Sequence, residues 1–313
     1  MAQQPGLAAA PDGRRVYLLD GEGQAGELRV LDTTTWQPIV HIPVPEMALL
    51  LGGNPLSLSG DGRWLLVQHF SYGQNRAWAT VFDTANMQML ARNPLDALSC
   101  ANAIPPIQLV GHPGHPRLYI NCGGELIALN AETLAPIWRI PAPDNQPSAL
   151  ALALDGRTLY GLYPAGNVGC FGENPNDLVL YQWDSSSGAL IRRVPLGEQV
   201  NVPQGTCGRG GRVYLSTGIR GDRVYIAWED RLWAVSTDSW RVITTLPLPA
   251  AADGMVSSVD GRELYLLPAT AGDLLVRAYG LWTVDAEHLT LLRHASDWPH
   301  LTIPLIFAVP AAQ

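Results

Sequence analysis

The sequence contains no lysine, and all 20 of its positively charged residues are arginine. This absence excludes mechanisms that need a lysine amine, such as a Schiff base, a lysine general base or the phosphate-binding lysine of a P-loop. With 28 acidic residues, the formal net charge is −8. Because neutralising phosphates requires a basic surface, we expect no nucleic-acid partner.

Charged residues are scarce, at 15% of the chain against roughly 25% in average proteins, whereas 47% of the residues are hydrophobic. No apolar run reaches the roughly 18 residues of a membrane-spanning helix, so no transmembrane segment is expected. Turn-forming residues are abundant, with 31 glycines and 25 prolines. This combination excludes a disordered chain, a coiled coil and a helical bundle.

A turn of the form Asp-Gly-Arg, followed by an alternating strand, recurs along the chain. Four copies begin at Asp12, Asp61, Asp155 and Asp260, and two degenerate copies begin at Gly114 and Gly221. Each copy is followed by a second strand that an Asx- or Ser-type turn closes, as in residues 28–36. The turns lie at positions 13, 62, 114, 156, 222 and 261. The intervals between them lie around the roughly 40–50-residue period of propeller blades.

Each repeat supplies four antiparallel strands, named A to D from the inside outward, and no single repeat can bury both of its faces. The sequence therefore predicts an all-β fold, a β-propeller in a single domain spanning residues 1–313. The six predicted blades span residues 6–45, 55–92, 106–142, 148–196, 209–249 and 254–295. The apolar tail 301–310 is expected to close the ring as an additional strand, and a seventh blade that begins there is the alternative.

Most tryptophans and two of the histidines are predicted to have structural roles. Seven tryptophans on or beside strands are predicted to fill space between blades: Trp36, Trp138, Trp183, Trp228, Trp233, Trp240 and Trp282. His112 and His115, in the segment GHPGHP, are predicted to be surface turn residues, because two ligands alone make a poor metal site.

The segments PDGRRVYLL and LRVLDTTTWQPIVHIPV resemble bacterial YVTN-type propeller repeats. This superfamily includes the amine-dehydrogenase heavy chains, and the resemblance covers nearly the whole chain. It implies the propeller fold. Its members include binding and surface proteins, quinoprotein-associated subunits and some lactonases, so the resemblance leaves both binding and enzymatic functions open.

Four cysteines, Cys100, Cys122, Cys170 and Cys207, show no C-x-x-C spacing, which excludes a haem attachment motif and a zinc ribbon. We expect two disulfides, Cys100–Cys122 and Cys170–Cys207, and hence an extracellular or periplasmic protein. Four free thiols or a thiolate metal site are the alternatives. No signal-peptide pattern is seen, so the expectation of export rests on the cysteines.

The predicted strand order places the A–B and C–D turns at one end of every blade and the B–C and D–A connections at the other. The second group contains the long segments, among them residues 69–77 and 163–177. Because long loops on a rigid scaffold commonly carry function, this end is the predicted binding face. Its candidate residues are His69, Tyr72, Asn75, Arg76, Glu46, Asp144, Glu173, Asp297 and Trp298.

Two functions remain open at this point. The favoured one is an exported, bacterial, non-enzymatic module that binds a protein or an extracellular polymer through the long loops. The alternative is an enzyme, lactonase-like or a quinoprotein-type oxidoreductase subunit, that uses His69, Arg76 and carboxylates around an axial pocket. No catalytic signature motif is present in the sequence, and we expect neither a cofactor nor a metal.

Overall fold

The structure is a computed structural model. It describes residues 6–10, 14–22, 25–32, 35, 37–45, 56–59, 62–71, 76–94, 108–112, 115–122, 124–143, 149–164, 178–196, 199–200, 213–218, 220–257, 261–268 and 281–295. These residues belong to two compact units, Met1–Ala142 and Pro143–Gln313.

The first unit contains three four-stranded sheets. Sheet 1 consists of β1 (Gly6–Ala9), β2 (Arg15–Glu22), β3 (Ala25–Asp32) and β4 (Pro38–Pro45). Sheet 2 consists of β5 (Leu56–Leu58), β6 (Trp64–Ser71), β7 (Arg76–Asp83) and β8 (Gln88–Pro94). Sheet 3 consists of β9 (Gln108–Gly111), β10 (Arg117–Cys122), β11 (Glu125–Asn130) and β12 (Pro136–Pro141).

The second unit contains three more sheets of the same kind. Sheet 4 consists of β13 (Ala149–Leu152), β14 (Thr158–Pro164), β15 (Leu178–Asp184) and β16 (Leu190–Pro195). Sheet 5 consists of β17 (Val213–Thr217), β18 (Arg223–Trp228), β19 (Arg231–Ser236) and β20 (Val242–Pro247). Sheet 6 consists of β21 (Ala252–Ser257), β22 (Glu263–Pro268), β23 (Leu281–Asp285) and β24 (Thr290–Ala295).

Every sheet is an antiparallel meander in which consecutive strands pair, so its four strands correspond to A, B, C and D. Within each unit the A strands of successive sheets contact one another: β1 meets β5, β5 meets β9, β13 meets β17 and β17 meets β21. Four-stranded meanders packed face to face around their first strands are propeller blades. The predicted all-β propeller fold is therefore confirmed. The blade count stays a prediction, and the tail 301–310 lies outside the described residues.

The core lies between successive sheets of a unit. Tyr17 and Leu28 of sheet 1 pack with Leu65 of sheet 2, and Leu66 of sheet 2 packs with Leu118 of sheet 3. In the second unit the clusters between sheets contain the tryptophans Trp228, Trp233, Trp240 and Trp282. These four tryptophans confirm part of the predicted packing between blades, and Trp183, which is 2% exposed, is also buried.

The C–D turns share one local design. The residue that ends the C strand accepts backbone N–H bonds through its side-chain oxygen, as Asn130 Oδ1 does from Glu132 and Thr133 at 2.9 and 3.0 Å. The fifth turn residue then adopts a positive φ, which is 56° at Leu134 and 58° at Trp240. Both of these side chains are buried against the preceding sheet. The turn therefore also contributes to the core.

A hydrogen-bonded clamp joins the A–B turn and the C–D turn of each of three blades. Thr84 Oγ1 donates to the Gly62 carbonyl at 2.6 Å, and Thr237 Oγ1 donates to the Gly221 carbonyl at 2.7 Å. Ser185 makes the same bond to Gly156. These glycines have φ between 68° and 74°, a region that glycine enters without steric cost. We call this clamped end of each sheet the short-turn end and the opposite end the long-loop end.

Removal of a clamp hydroxyl is expected to destabilise the protein. In Thr237→Val the Gly221 carbonyl loses its donor, and we expect the free energy of unfolding to fall by about 1 kcal/mol. Thr245→Val is the matched control, because Thr245 lies exposed on β20. Denaturant unfolding of both variants measures the effect, and equal stabilities of the two would contradict a role for the clamp.

Candidate functional site

The predicted binding-face residues lie largely outside the part of the chain that the structure describes. This holds for Glu46, Tyr72, Asn75, Asp144, Glu173, Asp297 and Trp298. His69 and Arg76 are described in their backbone only, and their place differs from the prediction. The ladder of β6 and β7 continues to the pair Ser71 and Arg76, so both residues lie in strands and only residues 72–75 connect them.

The same strand ends carry an aromatic and a cationic side chain that we identify as the candidate site. Trp78, opposite His69 in the β6–β7 ladder, is the third residue of β7, and Arg92 is the third residue from the end of β8. The Arg92 guanidinium carbon lies over the Trp78 ring, 4.5 Å from its centroid. A cation at this distance from a tryptophan face is attracted by the ring quadrupole. The two side chains therefore form a contacting pair at the long-loop end of sheet 2.

Both side chains of this pair have a buried N–H donor. Trp78 Nε1 and Arg92 Nε are buried, and neither has a hydrogen-bond partner in the described structure. An unsatisfied buried donor costs about 1–3 kcal/mol, more when the group is charged. Native proteins rarely leave such groups unpaired, and each one calls for an explanation, such as strain, a functional role or a bound water, ion or ligand. Trp78 and Arg92 therefore each retain one N–H donor that has no internal acceptor.

The side of sheet 2 that carries Trp78 and Arg92 faces sheet 1. Phe82, four residues after Trp78 and on the same side of β7, packs in the cluster shared with sheet 1. In that cluster the described part of sheet 1 contributes apolar side chains, among them Leu28 and Val44. Its charged group of Glu27 and Arg29 belongs to the opposite side, since the directions of side chains alternate along a strand. Arg92 therefore lies on the side of sheet 2 that faces this apolar cluster.

Neither Trp78 nor Arg92 is among the residues predicted from the sequence. The predicted tryptophans are those expected to pack between blades, and no predicted site residue is an arginine of a D strand. A signal was nevertheless present, because Arg92 lies two residues before Pro94 in a repeat whose prolines recur at strand ends. Aligning the repeats on these prolines would have placed Pro94 opposite Trp78 and Arg92 close to it.

Charged groups elsewhere in the described structure have structural explanations. In sheet 1, Arg29 Nε and His41 Nδ1 lie 2.5 and 2.8 Å from the Glu27 carboxylate. These two hydrogen bonds lower the pKa of Glu27 below its ordinary value. All three side chains are partly exposed to solvent, so the group contributes little to stability.

Two tyrosines of the second unit have raised pKa values because they are buried. Burial, helped by the charge of Asp155, raises the pKa of Tyr160 to about 12. Burial also raises the pKa of Tyr225, whose hydroxyl donates to the Ala286 carbonyl at 2.7 Å. Both side chains therefore remain neutral at physiological pH and act as part of the core.

Asp184 illustrates how the turns control acidity. Hydrogen bonds from the hydroxyls of Ser186 and Ser187, at 2.6 and 2.7 Å, and from their backbone N–H groups lower its pKa from 3.8 to about 2. These bonds stabilise the charged carboxylate in the folded turn. Because the folded pKa lies below the unfolded one, the stabilisation is present above about pH 4 and is lost as the pH falls towards 2.

Asp184→Asn is expected to remove this pH dependence while keeping the turn. Asn130 already caps the equivalent turn of sheet 3 without a charge. The free energies of unfolding of wild type and variant, measured between pH 5 and pH 2, are expected to converge or cross as the wild type loses its advantage. A difference that stays constant across this interval would contradict the assignment.

The structure tests the predictions for the cysteines and for His112 and His115 only in part. Cys122 ends β10, while Cys100, Cys170 and Cys207 lie outside the described residues, so the two disulfides stay predictions. His115 is exposed, but His112 is 7% exposed, with its ring 4.7 Å from that of His115 and 6.4 Å from that of Tyr119. The prediction that His112 is a surface residue is therefore wrong.

Two features are absent from the part of the chain that the structure describes. The described residues contain no group of three or more histidine, cysteine, aspartate or glutamate side chains placed to hold a metal ion. Within the same residues, no helix has the length and apolar character needed to cross a membrane.

Comparison with known proteins adds evidence on the fold. No protein-family model matches the chain, and no curated protein matches it in sequence. Among solved structures the chain is similar to Kuenenia stuttgartiensis hydrazine synthase, with a TM-score of 0.61 and 14% sequence identity. The similarity covers 90% of this chain and 76% of that chain. At this level of identity it shows the fold alone and supports the propeller.

Proposed function

We propose that this chain is an exported binding module that recognises a protein or an extracellular polymer through its long-loop end. The observation that carries the proposal is the difference between the two ends of the sheets. At the short-turn end the connections are short and closed by repeated hydrogen bonds. At the long-loop end the connection between B and C strands contains only residues 229–230 in sheet 5 but residues 165–177 in sheet 4.

The short-turn end supplies the rigidity that a binding scaffold needs. Besides the three clamps, Arg15 Nη1 of sheet 1 donates to the Thr84 carbonyl of sheet 2 at 2.9 Å. Tyr225 of sheet 5 bonds to the Ala286 carbonyl of sheet 6 in the same manner. Loops of unequal length held by a rigid framework are the usual location of recognition sites.

A loop exchange tests this proposal. The connection 165–177 is replaced by the two-residue Glu-Asp connection of residues 229–230, and binding to envelope proteins and wall polymers purified from the source cells is measured by interferometry. Arg220→Gln, an exposed change at the short-turn end, is the control. We expect saturable binding that the exchange abolishes and the control retains. Binding that survives the exchange would contradict the proposal, as would lactone hydrolysis without any binding.

Export is tested separately through the cysteines. Peptide mapping without reductant is expected to recover Cys100 linked to Cys122 and Cys170 linked to Cys207. Disulfides of this kind persist in extracellular and periplasmic proteins and are rare in the cytosol. Four thiols that react with an alkylating agent in the native protein would overturn the proposal of export and leave the binding test unaffected.

A further inference from the structure

We propose that Arg92 and Trp78 form a binding site for a carboxylate group of the ligand, at the long-loop end of sheet 2. This inference rests on the proposed function, because it names the chemistry that one part of the binding end recognises. It is carried by a comparison of the same position in neighbouring blades.

The blades align at one proline near the end of each D strand, because the C-strand residue that pairs with it lies five residues before the end of the C strand in all three. Pro43, Pro94 and Pro141 each pair with one C-strand residue, which is Glu27 in sheet 1, Trp78 in sheet 2 and Glu125 in sheet 3. Two residues before each proline the D strand carries a basic side chain. These basic residues are His41, Arg92 and Arg139. The three blades of the first unit therefore repeat one pair of positions.

In sheets 1 and 3 this pair is a glutamate and a base in contact. His41 Nδ1 lies 2.8 Å from Glu27 Oε1, and Arg139 Nη1 lies 3.5 Å from Glu125 Oε2. In sheet 2 tryptophan replaces the glutamate, and Arg92 retains its charge without the carboxylate that its counterparts have. The guanidinium instead lies on the Trp78 ring.

Sheet 4 shows a second way in which this chain satisfies an arginine at the equivalent place. Arg193 lies two residues before Pro195, and its Nε donates to the Tyr181 hydroxyl at 3.1 Å. The residue of sheet 2 that corresponds to Tyr181 is Thr80, opposite Arg92 in the ladder. Three of these four blades therefore supply an internal acceptor, and sheet 2 instead adds a second donor, Trp78 Nε1.

Carboxylate is the group that these donors fit. A guanidinium donates to the two oxygens of a carboxylate through paired N–H groups, and such charge-assisted bonds are about twice as strong as neutral ones. The indole N–H beside it can donate only, which excludes a ligand group without a free acceptor. Trp78 and Arg92 lie on the side of sheet 2 that carries Phe82 into the apolar cluster shared with sheet 1, and a hydrogen bond in such partly buried surroundings is stronger than one in water.

Nuclear magnetic resonance tests the site directly. The Nε–H resonance of Arg92 and the indole N–H resonance of Trp78 are followed while sodium acetate replaces sodium chloride at constant ionic strength. We expect both resonances to shift saturably, while the Nε–H resonance of Arg139, which already pairs with Glu125, stays in place. A titration in which Arg92 does not respond, or in which Arg139 responds equally, would overturn the proposal.

Trp78→Glu provides the second variant, because it introduces the internal partner that sheets 1 and 3 have. It is expected to weaken acetate binding at least about tenfold, the change that about 1.4 kcal/mol produces. Arg63→Gln is the matched control, since Arg63 lies over Trp64 at 4.4 Å at the short-turn end of the same sheet, and acetate binding should not change. Acetate binding by Trp78→Glu that is as strong as in the wild type would contradict the proposal.

The outcome separates this inference from the proposed function. If the loop exchange abolishes partner binding while the Arg92 resonance does not shift with acetate, the proposed carboxylate site is wrong and the proposed binding module stands. If Arg92 binds acetate and no partner depends on the long loops, the proposed function is wrong and the anion site stands.

Discussion

Replacement of Gly111 by alanine is expected to lower the free energy of unfolding by about 3 kcal/mol, as overpacking of a rigid contact does. Gly111 ends β9, the A strand of sheet 3, where that strand packs against the A strand of sheet 2. A Cβ added here would lie 2.5 Å from the Leu58 carbonyl oxygen and 2.7 Å from the Ser59 Cα. Both are backbone atoms, so no side chain can rotate to make room.

The same repeat position in the second unit shows what close approach accomplishes. There Thr217 Oγ1 donates to the Leu152 carbonyl at 2.9 Å, and Ser257 Oγ donates to the Thr217 carbonyl at 3.1 Å. Side-chain hydroxyls therefore bridge the A strands of sheets 4, 5 and 6. In the first unit the strands of sheets 2 and 3 are instead too close for any side chain, and an alanine must push them apart.

Gly218→Ala is the control for this experiment. Its added Cβ would lie no closer than 3.5 Å to any of its neighbours, an ordinary van der Waals distance. We expect the free energy of unfolding to change by no more than about 0.5 kcal/mol, in the stabilising direction because alanine restricts the unfolded chain. Denaturant unfolding measures both variants. If Gly111→Ala proved as stable as Gly218→Ala, the close packing of sheets 2 and 3 would be contradicted.

Gly161→Ala is expected to cost about 2–3 kcal/mol for a different reason, the crowding of aromatic rings. Gly161 lies in β14, and an added Cβ would be 2.8 Å from both Trp183 Cζ3 and Tyr163 Cε2. Trp183 stacks on Tyr181, with ring centroids 5.5 Å apart, and Tyr163 meets Tyr181 edge-on at 5.0 Å. Since Trp183 and Tyr163 are 2% and 0% exposed, neither ring can move into solvent.

A double-mutant cycle with Trp183→Phe tests this explanation. Phenylalanine lacks the second ring that approaches Gly161, so it leaves space for the alanine methyl group. We expect Trp183→Phe alone to be destabilising, as cavity-forming changes are, and the double variant to be more stable than the sum of the two effects by about 1 kcal/mol. Strict additivity would show that the alanine acts through the backbone of β14 and not through the ring.

The local chemistry of the repeats was sufficient to predict the strands, the turns and the fold. Alternation defines the strands, and the turn glycines and Asx residues define where they end, because both signals act over a few residues. The segment HFSYGQNRA was misjudged for the same reason. Its polar composition indicates a loop, yet cross-strand pairing extends β6 and β7 as far as Ser71 and Arg76.

What the sequence determined by itself is therefore the repeated four-stranded unit and the ends at which its short turns lie. The tertiary structure decided which side chains of different strands meet. The burial of His112, the close approach at Gly111 and the unpaired donors of Trp78 and Arg92 depend on register and on the packing of one sheet against the next. These relations join residues far apart in the chain, and no local pattern specifies their distances.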